Sequence, residues 1–437
     1  IILSAYRRWG KDCLDRLVGA FAFAIWDSHN HSMFCARDHM GIRPCYYYYE
    51  ARKLFAFASG TRALLSLPGV PRQLNETKIA DHLAALFVDK ASTFFKDIFQ
   101  HLSGGLDSSS VTCVARQLLP KDTALHTFSN VFEKATECDE RPFIEAVLAQ
   151  EDLVPHFVAG DSRGPLSNLD FILRHHSSIV SAPNHFFLFG LGEAAQQAGV
   201  RVVLDGSDGD TTLSHGLGYL SELAHKGDWD SFADEVRELK KVMNSSPARI
   251  LSAYGLGYLE ALSRSGRWIS FIRQGRQLRQ RFTISWQRLL VRHGIKVLLP
   301  NSVKLVWHWV FHSYDNKNDD PLRIINPVFA ERTGVRARHQ LETTALNQLL
   351  KTEKESHCLN INSGVLNHVV DIIQDYSAAF CVEARSPFMD KRLIEFCLSL
   401  PPQQKLKQGW TRYVMRQAMK TTLQSKIWKR PGKAGMG

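Results

Sequence analysis

Residues 101–110 read HLSGGLDSSS, a paired glycine that feeds hydroxyls and one carboxylate into the next segment of chain. Leu102 is expected to close a strand, and Gly104 and Gly105 permit a turn through positive φ. The helix after them would turn its unpaired N–H groups and the positive end of its dipole toward an anion. Ser103, Ser108 and Ser109 add hydroxyl donors, and Asp107 offers a carboxylate to Mg²⁺. A helix over 107–119 is expected because Val111, Val114, Ala115, Leu118 and Leu119 fall at i, i+3, i+4, i+7 and i+8, one apolar face to pack beneath a sheet. The competing reading is a serine-rich turn that merely caps a helix. The unbroken fit of all ten residues favours a loop that holds the phosphates of a nucleotide.

No lysine closes the loop, so the GxxxxGK(S/T) signature is absent, and GxGxxG after a strand is not the pattern either. The stretch resembles the loop of the PP-loop ATP pyrophosphatases, which implies ATP cleaved between its α and β phosphates.

The surrounding chain bounds the classes open to it. Its 437 residues have room for two or three domains, and 44% apolar with 22% charged residues is ordinary for a globular protein. The eight cysteines, at 13, 35, 45, 113, 138, 358, 381 and 397, form no CxxC pair, which argues against zinc ribbons and disulfide frameworks and suits a reducing cytosol. The most apolar stretch, 295–311, is broken by Lys296, Pro300, Asn301, Lys304 and His308, so no membrane span is expected. Formal charge is +11, and residues 261–300 carry nine Arg and Lys with no Asp or Glu: Arg264, Arg267, Arg273, Arg276, Arg279, Arg281, Arg288, Arg292 and Lys296. With Trp268, Phe271, Phe282 and Trp286 among them, a nucleic-acid surface is conceivable. No RNA-binding motif accompanies the charges, so a solvated basic face is preferred, and an acidic peptide or partner protein is the next reading.

Residues 19–58 alternate aromatic-rich runs (GAFAFAIWD, SMFCARD, CYYYYE, KLFAFAS) with turn-like SHNH, GIRP and EARK, the pattern of antiparallel strands. Short helices are expected at 61–67, stopped by Pro68-Gly69, and at 78–87. Beyond Ser110 the style changes. Helix 107–119, strand 125–132, helix 139–149, strand 155–158, helix 185–198 and strand 200–204 alternate as βαβ units do, which predicts a parallel sheet with ligands at the strands' carboxyl ends. From about Leu217 onward helical patterns dominate.

Over nearly its whole length the chain resembles the asparagine synthetase family, whose relatives include the β-lactam synthetases and the lasso-peptide cyclases. LVGAFAFAIWD, ARDHMGIRPCYYYY and LFAFASGTRALL look like the later half of a glutaminase-type domain. HLSGGLDSSS, HTFSNVF, VVLDGSDGD, EARSPFMD and KRPGKAGM look like synthetase motifs in the family's order. The resemblance implies an α/β fold. A PP-loop parallel sheet with a helical carboxyl-terminal part would occupy residues 99–437. It would come after a partial, antiparallel α+β domain of the Ntn-hydrolase kind over 1–98. The resemblance also implies ATP and Mg²⁺ as cofactors. Leu102, Ser129, Asn130, Asp205 and Gly206 would frame adenine, and Ser103, Gly104, Gly105, Ser108 and Ser109 the phosphates. Asp107 and Asp210 would hold the metal, with Lys433 and Glu383 at the reacting carbonyl.

Three departures matter. Ile1 is not a methionine, and the family's amino-terminal cysteine nucleophile would lie upstream, so this polypeptide is expected not to hydrolyse glutamine; Cys13, Cys35 and Cys45 read as small buried hydrophobes. FFKDIF runs almost directly into HLSGG, which leaves residues 98–102 to serve as the strand before the loop and predicts unpaired sheet edges in the first domain. The turn DGSDGDTT has Ser207 and Thr211 where asparagine makers carry acids, and GWTRYVMRQAM has Arg412 where lysine is commoner, changes that resemble the macrolactam-forming cyclases.

The expectation is therefore a ligase that adenylates a carboxylate and then forms an amide, by default asparagine from aspartate. The alternative is cyclisation of a peptide on its own amine, with a precursor or leader peptide received at 261–300. A degenerate nucleotide-binding protein is a third reading, and an RNA-thiolating PP-loop enzyme, for which only Cys138 could carry sulfur, a weaker one. A homodimer is left open.

Overall fold

A computed structural model describes residues 1–86, 93, 98–100, 108–121, 123–149, 152–175, 185–206, 209–299, 322, 324–349 and 351–430. Two compact units emerge: 1–213 with 361–397 and 416–437, and 214–360 with 398–415.

The first unit begins with helix α1 (Ile2–Trp9) and two antiparallel hairpins. In the first, β1 (Ala22–Asp27) pairs with β2 (Ser32–Arg37), Trp26 opposite Met33. It turns where it does because the Asp27 carboxylate accepts the N–H groups of His29 and Asn30, an Asx turn that ends the ladder. In the second, β3 (Tyr46–Glu50) pairs with β4 (Leu54–Ala58). Strand periodicity divides its aromatics: Tyr46 and Tyr48 go inward onto Leu64 and Val70, while Tyr47, Tyr49, Phe55 and Phe57 stay exposed. Helices α2 (Thr61–Leu65) and α3 (Glu76–Leu83) come next, the second capped by the Asn75 side chain on the Lys78 N–H.

The expected strand before the loop forms as β5 (Ile98–Gln100), but in the other sheet. It pairs antiparallel with β3, Tyr47 opposite Phe99. The physical reason is an open sheet edge: β3 has one side free after pairing with β4, and the nearest extended backbone satisfies its donors and acceptors.

Helix α4 (Ser108–Leu118) forms after the loop as expected, with a different face inward. Ser110, Val111, Cys113 and Arg116 are buried, and Leu118 is 79% exposed. Arg116 decides this. Its guanidinium folds over the helix end and donates to the carbonyls of Leu119, Pro120 and Thr123, which rotates the apolar carboxyl-terminal turn outward. Cys113 packs instead on Val147 and Leu423.

The βαβ reading holds next. β6 (Leu125–Val131), α5 (Arg141–Leu148) and β7 (Leu153–Ala159) make a parallel pair in which Ser129 sits opposite Phe157. Helices α6 (Leu169–His175) and α7 (His185–Gln197) lead to β8 (Val202–Leu204) and α8 (Gly209–Leu213). Among the described residues β8 pairs with β9 (Glu383–Arg385), in parallel, and β6 with β7, also in parallel. Beneath them Ile172, Phe189, Ile373, Tyr376, Phe380 and Val382 form the core.

The second unit is helical, with a two-stranded ribbon, Leu406–Lys407 and Trp410–Thr411. Its core gathers Leu220, Trp229, Phe232, Leu259, Phe271 and Leu278. Trp268, Phe282 and Trp286 pack against that core, so the aromatics interleaved with arginines are structural and form no stacking surface. The arginines are outside: Arg267, Arg273, Arg276, Arg279, Arg288 and Arg292 are all exposed. A charged pair is inside. Lys405 is fully buried, 3.6 Å from Glu353 Oε1 and 2.8 Å from His357 Nδ1, and the Ser214 hydroxyl donates to the same Glu353 oxygen at 2.6 Å. All eight cysteines are free thiols. Cys13 is buried, whereas Cys35 and Cys45 are half-buried and burial pushes their thiols up. Among the described residues no helix is long and apolar enough to cross a membrane.

Candidate functional site

The carboxyl ends of β6 and β8 and the amino end of α4 enclose a cavity of about 370 Å³, within the roughly 300–1,000 Å³ of small-molecule sites. Ser108 and Ser109 reach it from the first turn of α4, Ser129 and Asn130 from the end of β6, and Asp205 and Gly206 from just beyond β8. Six residues singled out from sequence thus surround one hollow. Leu102, Ser103, Gly104, Gly105, Asp107, Ser207 and Lys433 lie outside the described residues.

The chemistry of the walls is mixed. Leu125, Leu188, Leu191 and Val203 contribute apolar surface. Asn130 supplies polarity: its Oδ1 is buried and has no hydrogen-bond partner among the described residues, a state that costs free energy unless something donates to it. Asp205 stands beside Tyr376, whose hydroxyl is pushed far up by burial and by that carboxylate. The Ser386 hydroxyl reaches Asp205 Oδ2 at 3.5 Å, the long limit of a hydrogen bond.

Sequence reasoning missed Tyr376, Glu140, Phe143 and Arg430, all on the cavity lining. Arg430 pairs with Glu140 and lies 4.1 Å from the Phe143 ring centroid. It is itself held by its carbonyl, which accepts from Arg416 at 2.8 Å. Arg430 is the last described residue. Cys138, a candidate by elimination only, also lines the cavity.

Asp210 and Glu383 are outside that lining. Asp210 lies in the first turn of α8, four residues beyond Gly206 in the chain. Glu383 opens β9, where Arg43 and Arg385 both bind its Oε1, Arg385 at 2.6 Å. Burial raises its pKa, but the two guanidinium groups outweigh that and hold the carboxylate below the ordinary glutamate value. Among the described residues no group of three or more His, Cys, Asp or Glu could hold a metal.

Residues 95–437 match the family model described as asparagine synthase, nearly four-fifths of the chain. The chain belongs to the asparagine synthase family. Residues 1–114 match a glutamine amidotransferase domain, so the two matches overlap around the glycine loop. Among the relatives of this asparagine synthase family member is the glutamine-hydrolyzing asparagine synthetase 3 of Bacillus subtilis, 26% identical over 238 residues, or 36% of this chain and 39% of that protein. Asparagine synthetase B of Escherichia coli is 30% identical over 131 residues, 30% of this chain and 23% of that protein. Glutamine-hydrolyzing asparagine synthetase 3 of Arabidopsis thaliana is 25% identical over 258 residues, 50% of this chain and 44% of that protein. The chain spans less than half the length of these relatives.

Proposed function

We propose that this chain activates a carboxylate with ATP and passes it to an amine, the amidation chemistry of the asparagine synthase family, with aspartate as the default acid. The observation that carries the reading is a cavity flanked by Ser108, Ser109, Ser129, Asn130, Asp205 and Gly206, with an orphaned acceptor at Asn130. An adenine amino group is a donor of the kind that acceptor lacks. Leu102, Ser129, Asn130, Asp205 and Gly206 would take the base, and Ser103, Gly104, Gly105, Ser108 and Ser109, at the amino end of α4, the phosphates. Asp107 and Asp210 offer the hard oxygen donors that suit Mg²⁺, which usually takes one or two carboxylates together with substrate phosphates and would neutralise charge on the departing pyrophosphate.

In this reading the substrate carboxylate attacks the α phosphorus and pyrophosphate leaves. The amine then attacks the acyl carbon and AMP leaves. Lys433 meets the negative charge that builds on the leaving oxygens, and Glu383 takes the proton shed by the attacking nitrogen. Residues 1–98 would be the partial glutaminase-type domain and 99–437 the PP-loop synthetase.

A second reading, a peptide as substrate and amine donor, is favoured by one observation. Six arginines on the second unit, at 267, 273, 276, 279, 288 and 292, are exposed and form no ion pair among the described residues. An acidic precursor peptide would complement them.

Exchange of labelled pyrophosphate into ATP tests both. Exchange with aspartate supports the amide synthetase, and exchange with acidic peptides alone supports the macrolactam reading. No exchange with either refutes adenylation. Asp210→Ala should reduce exchange at least a hundredfold, whereas Cys35→Ala should leave it unchanged.

A further inference from the structure

The loop between β2 and β3 is built around one side chain. Asp38 is 4% exposed, and its carboxylate accepts four backbone N–H groups, from Phe21 at 3.2 Å, Met40 at 3.2 Å, Ile42 at 2.8 Å and Arg43 at 2.9 Å. Its own carbonyl takes the Gly41 N–H at 2.8 Å, where the chain turns through φ 66°. Pro44 restricts the backbone of Arg43 from the other side. A connection between two hairpins needs no such bracing merely to pass from one to the next. What the bracing fixes is Arg43, whose guanidinium binds Glu383, 340 residues away in the chain.

The geometry at Glu383 is asymmetric. Oε1 receives both Arg43 and Arg385, while Oε2 makes no hydrogen bond among the described residues. Arg385 stands two residues along the same short strand with its side chain 55% exposed, and alone it would leave the carboxylate free to rotate about its terminal torsion. Arg43 comes from a separate, rigid element, and its side chain is about as shielded as that of Glu383 (29% and 32% exposed). Two guanidinium groups on one oxygen fix the plane of the carboxylate and direct proton traffic to the other oxygen.

We infer that Arg43 is a positioning residue for Glu383, delivered by the Asp38-braced loop of the amidotransferase-like segment so that this segment completes the amide-forming site of the synthetase part. The inference rests on the proposed role of Glu383 in amide formation. It gives the first hundred residues a task independent of glutamine hydrolysis: a synthetase part expressed without them would carry a Glu383 held by Arg385 alone.

The test uses the full chain with Arg43→Gln, Arg43→Lys and Glu383→Gln. The first arm reads no activity: the ¹³C carboxylate resonance of Glu383, assigned by its loss in Glu383→Gln, is titrated. The midpoint should rise in Arg43→Gln and stay near wild type in Arg43→Lys. An unmoved midpoint in Arg43→Gln overturns the inference. The second arm compares pyrophosphate exchange with amide formation from aspartate and ammonium chloride. Arg43→Gln should keep exchange within twofold of wild type, cut amide formation at least tenfold and move its acid limb to higher pH, with Arg43→Lys recovering part of the rate. Equal loss of both activities alongside a lower melting temperature and a fixed acid limb would mean that Arg43 only tethers the loop, and overturns it. A wild-type chain without exchange refutes the proposed function, while the titration still decides for or against Arg43.

Discussion

Replacing Lys405 by methionine should destabilise the second unit by about 3–5 kcal/mol, the usual cost of stranding one member of a buried ion pair. Lys405 and His357 have no exposed surface and Glu353 next to none, so solvent screening cannot absorb the change. Burial already holds the Glu353 carboxyl above the ordinary glutamate value, against the opposing pull of Ser214 and Lys405. Without Lys405 it would rise further. Between the unfolded and the raised folded value the folded state binds more protons than the unfolded one, so stability falls as pH climbs through that window. The penalty of Lys405→Met should therefore be largest where Glu353 is ionised and shrink as pH falls through its raised folded value, where Glu353 takes up a proton and needs no countercharge. The double variant Lys405→Met/Glu353→Gln should recover at least half of the loss, because no charge is left behind. Urea titration monitored by tryptophan fluorescence reads the unit directly, since Trp229 and Trp268 lie in and against its core. A loss under about 1 kcal/mol, or one that does not change between pH 5 and 8, would refute the assignment of a charge pair.

Two further outcomes are expected. Arg116→Met should cost the first unit about 2–4 kcal/mol, read by the fluorescence of Trp428, which packs on the Cys113 cluster beneath α4, because three carbonyls after α4 lose a charged donor at once; it should also weaken ATP binding, measured calorimetrically, as α4 carries Ser108 and Ser109. Arg273→Glu/Arg276→Glu should leave the melting temperature within about 1 °C and abolish the anisotropy change of a fluorescein-labelled Glu- and Leu-rich peptide at low salt; binding that survives the charge reversal removes the support for a peptide substrate.

How far the fold can be read from the sequence depends on how local each signal is. β6, α5 and β7 are each signalled by contiguous residues, and so are HTFSNVF and the VVLDG stretch, so the placing of Ser129, Asn130, Asp205 and Gly206 at strand ends could be read without coordinates. The inward face of α4 could not. Its apolar spacing is sound, but Arg116 overrides it by capping carbonyls that lie beyond the helix, a tertiary preference that periodicity does not encode. Strand β5 was legible as extended chain, and its partner was not, since an open edge on β3 competes for any strand nearby. Tyr376 lacks a signal altogether: within Gly364–Ala379 it is spaced like the core residues around it, and only the pairing of β8 with β9 brings Asp205 to its side.

That pairing also explains how one short strand can serve both halves of the proposed reaction. Val202 lies opposite Glu383 and Leu204 opposite Arg385, and the Asp205 N–H donates to the Arg385 carbonyl at 2.7 Å, so the ladder ends where the cavity-lining turn begins. Side chains alternate along a strand, which makes the register decisive. A slip of one residue would exchange the places of buried Ala384 and Glu383, put a carboxylate into the core beside Val382 and Tyr376, and pull it away from Arg43. Ala384 is the residue that prevents the slip, since it alone of the three fits the packed side. The acid proposed for amide formation and the turn proposed for nucleotide binding are thus placed by one three-residue ladder, and a bulky polar substitution at Ala384 should disturb both at once.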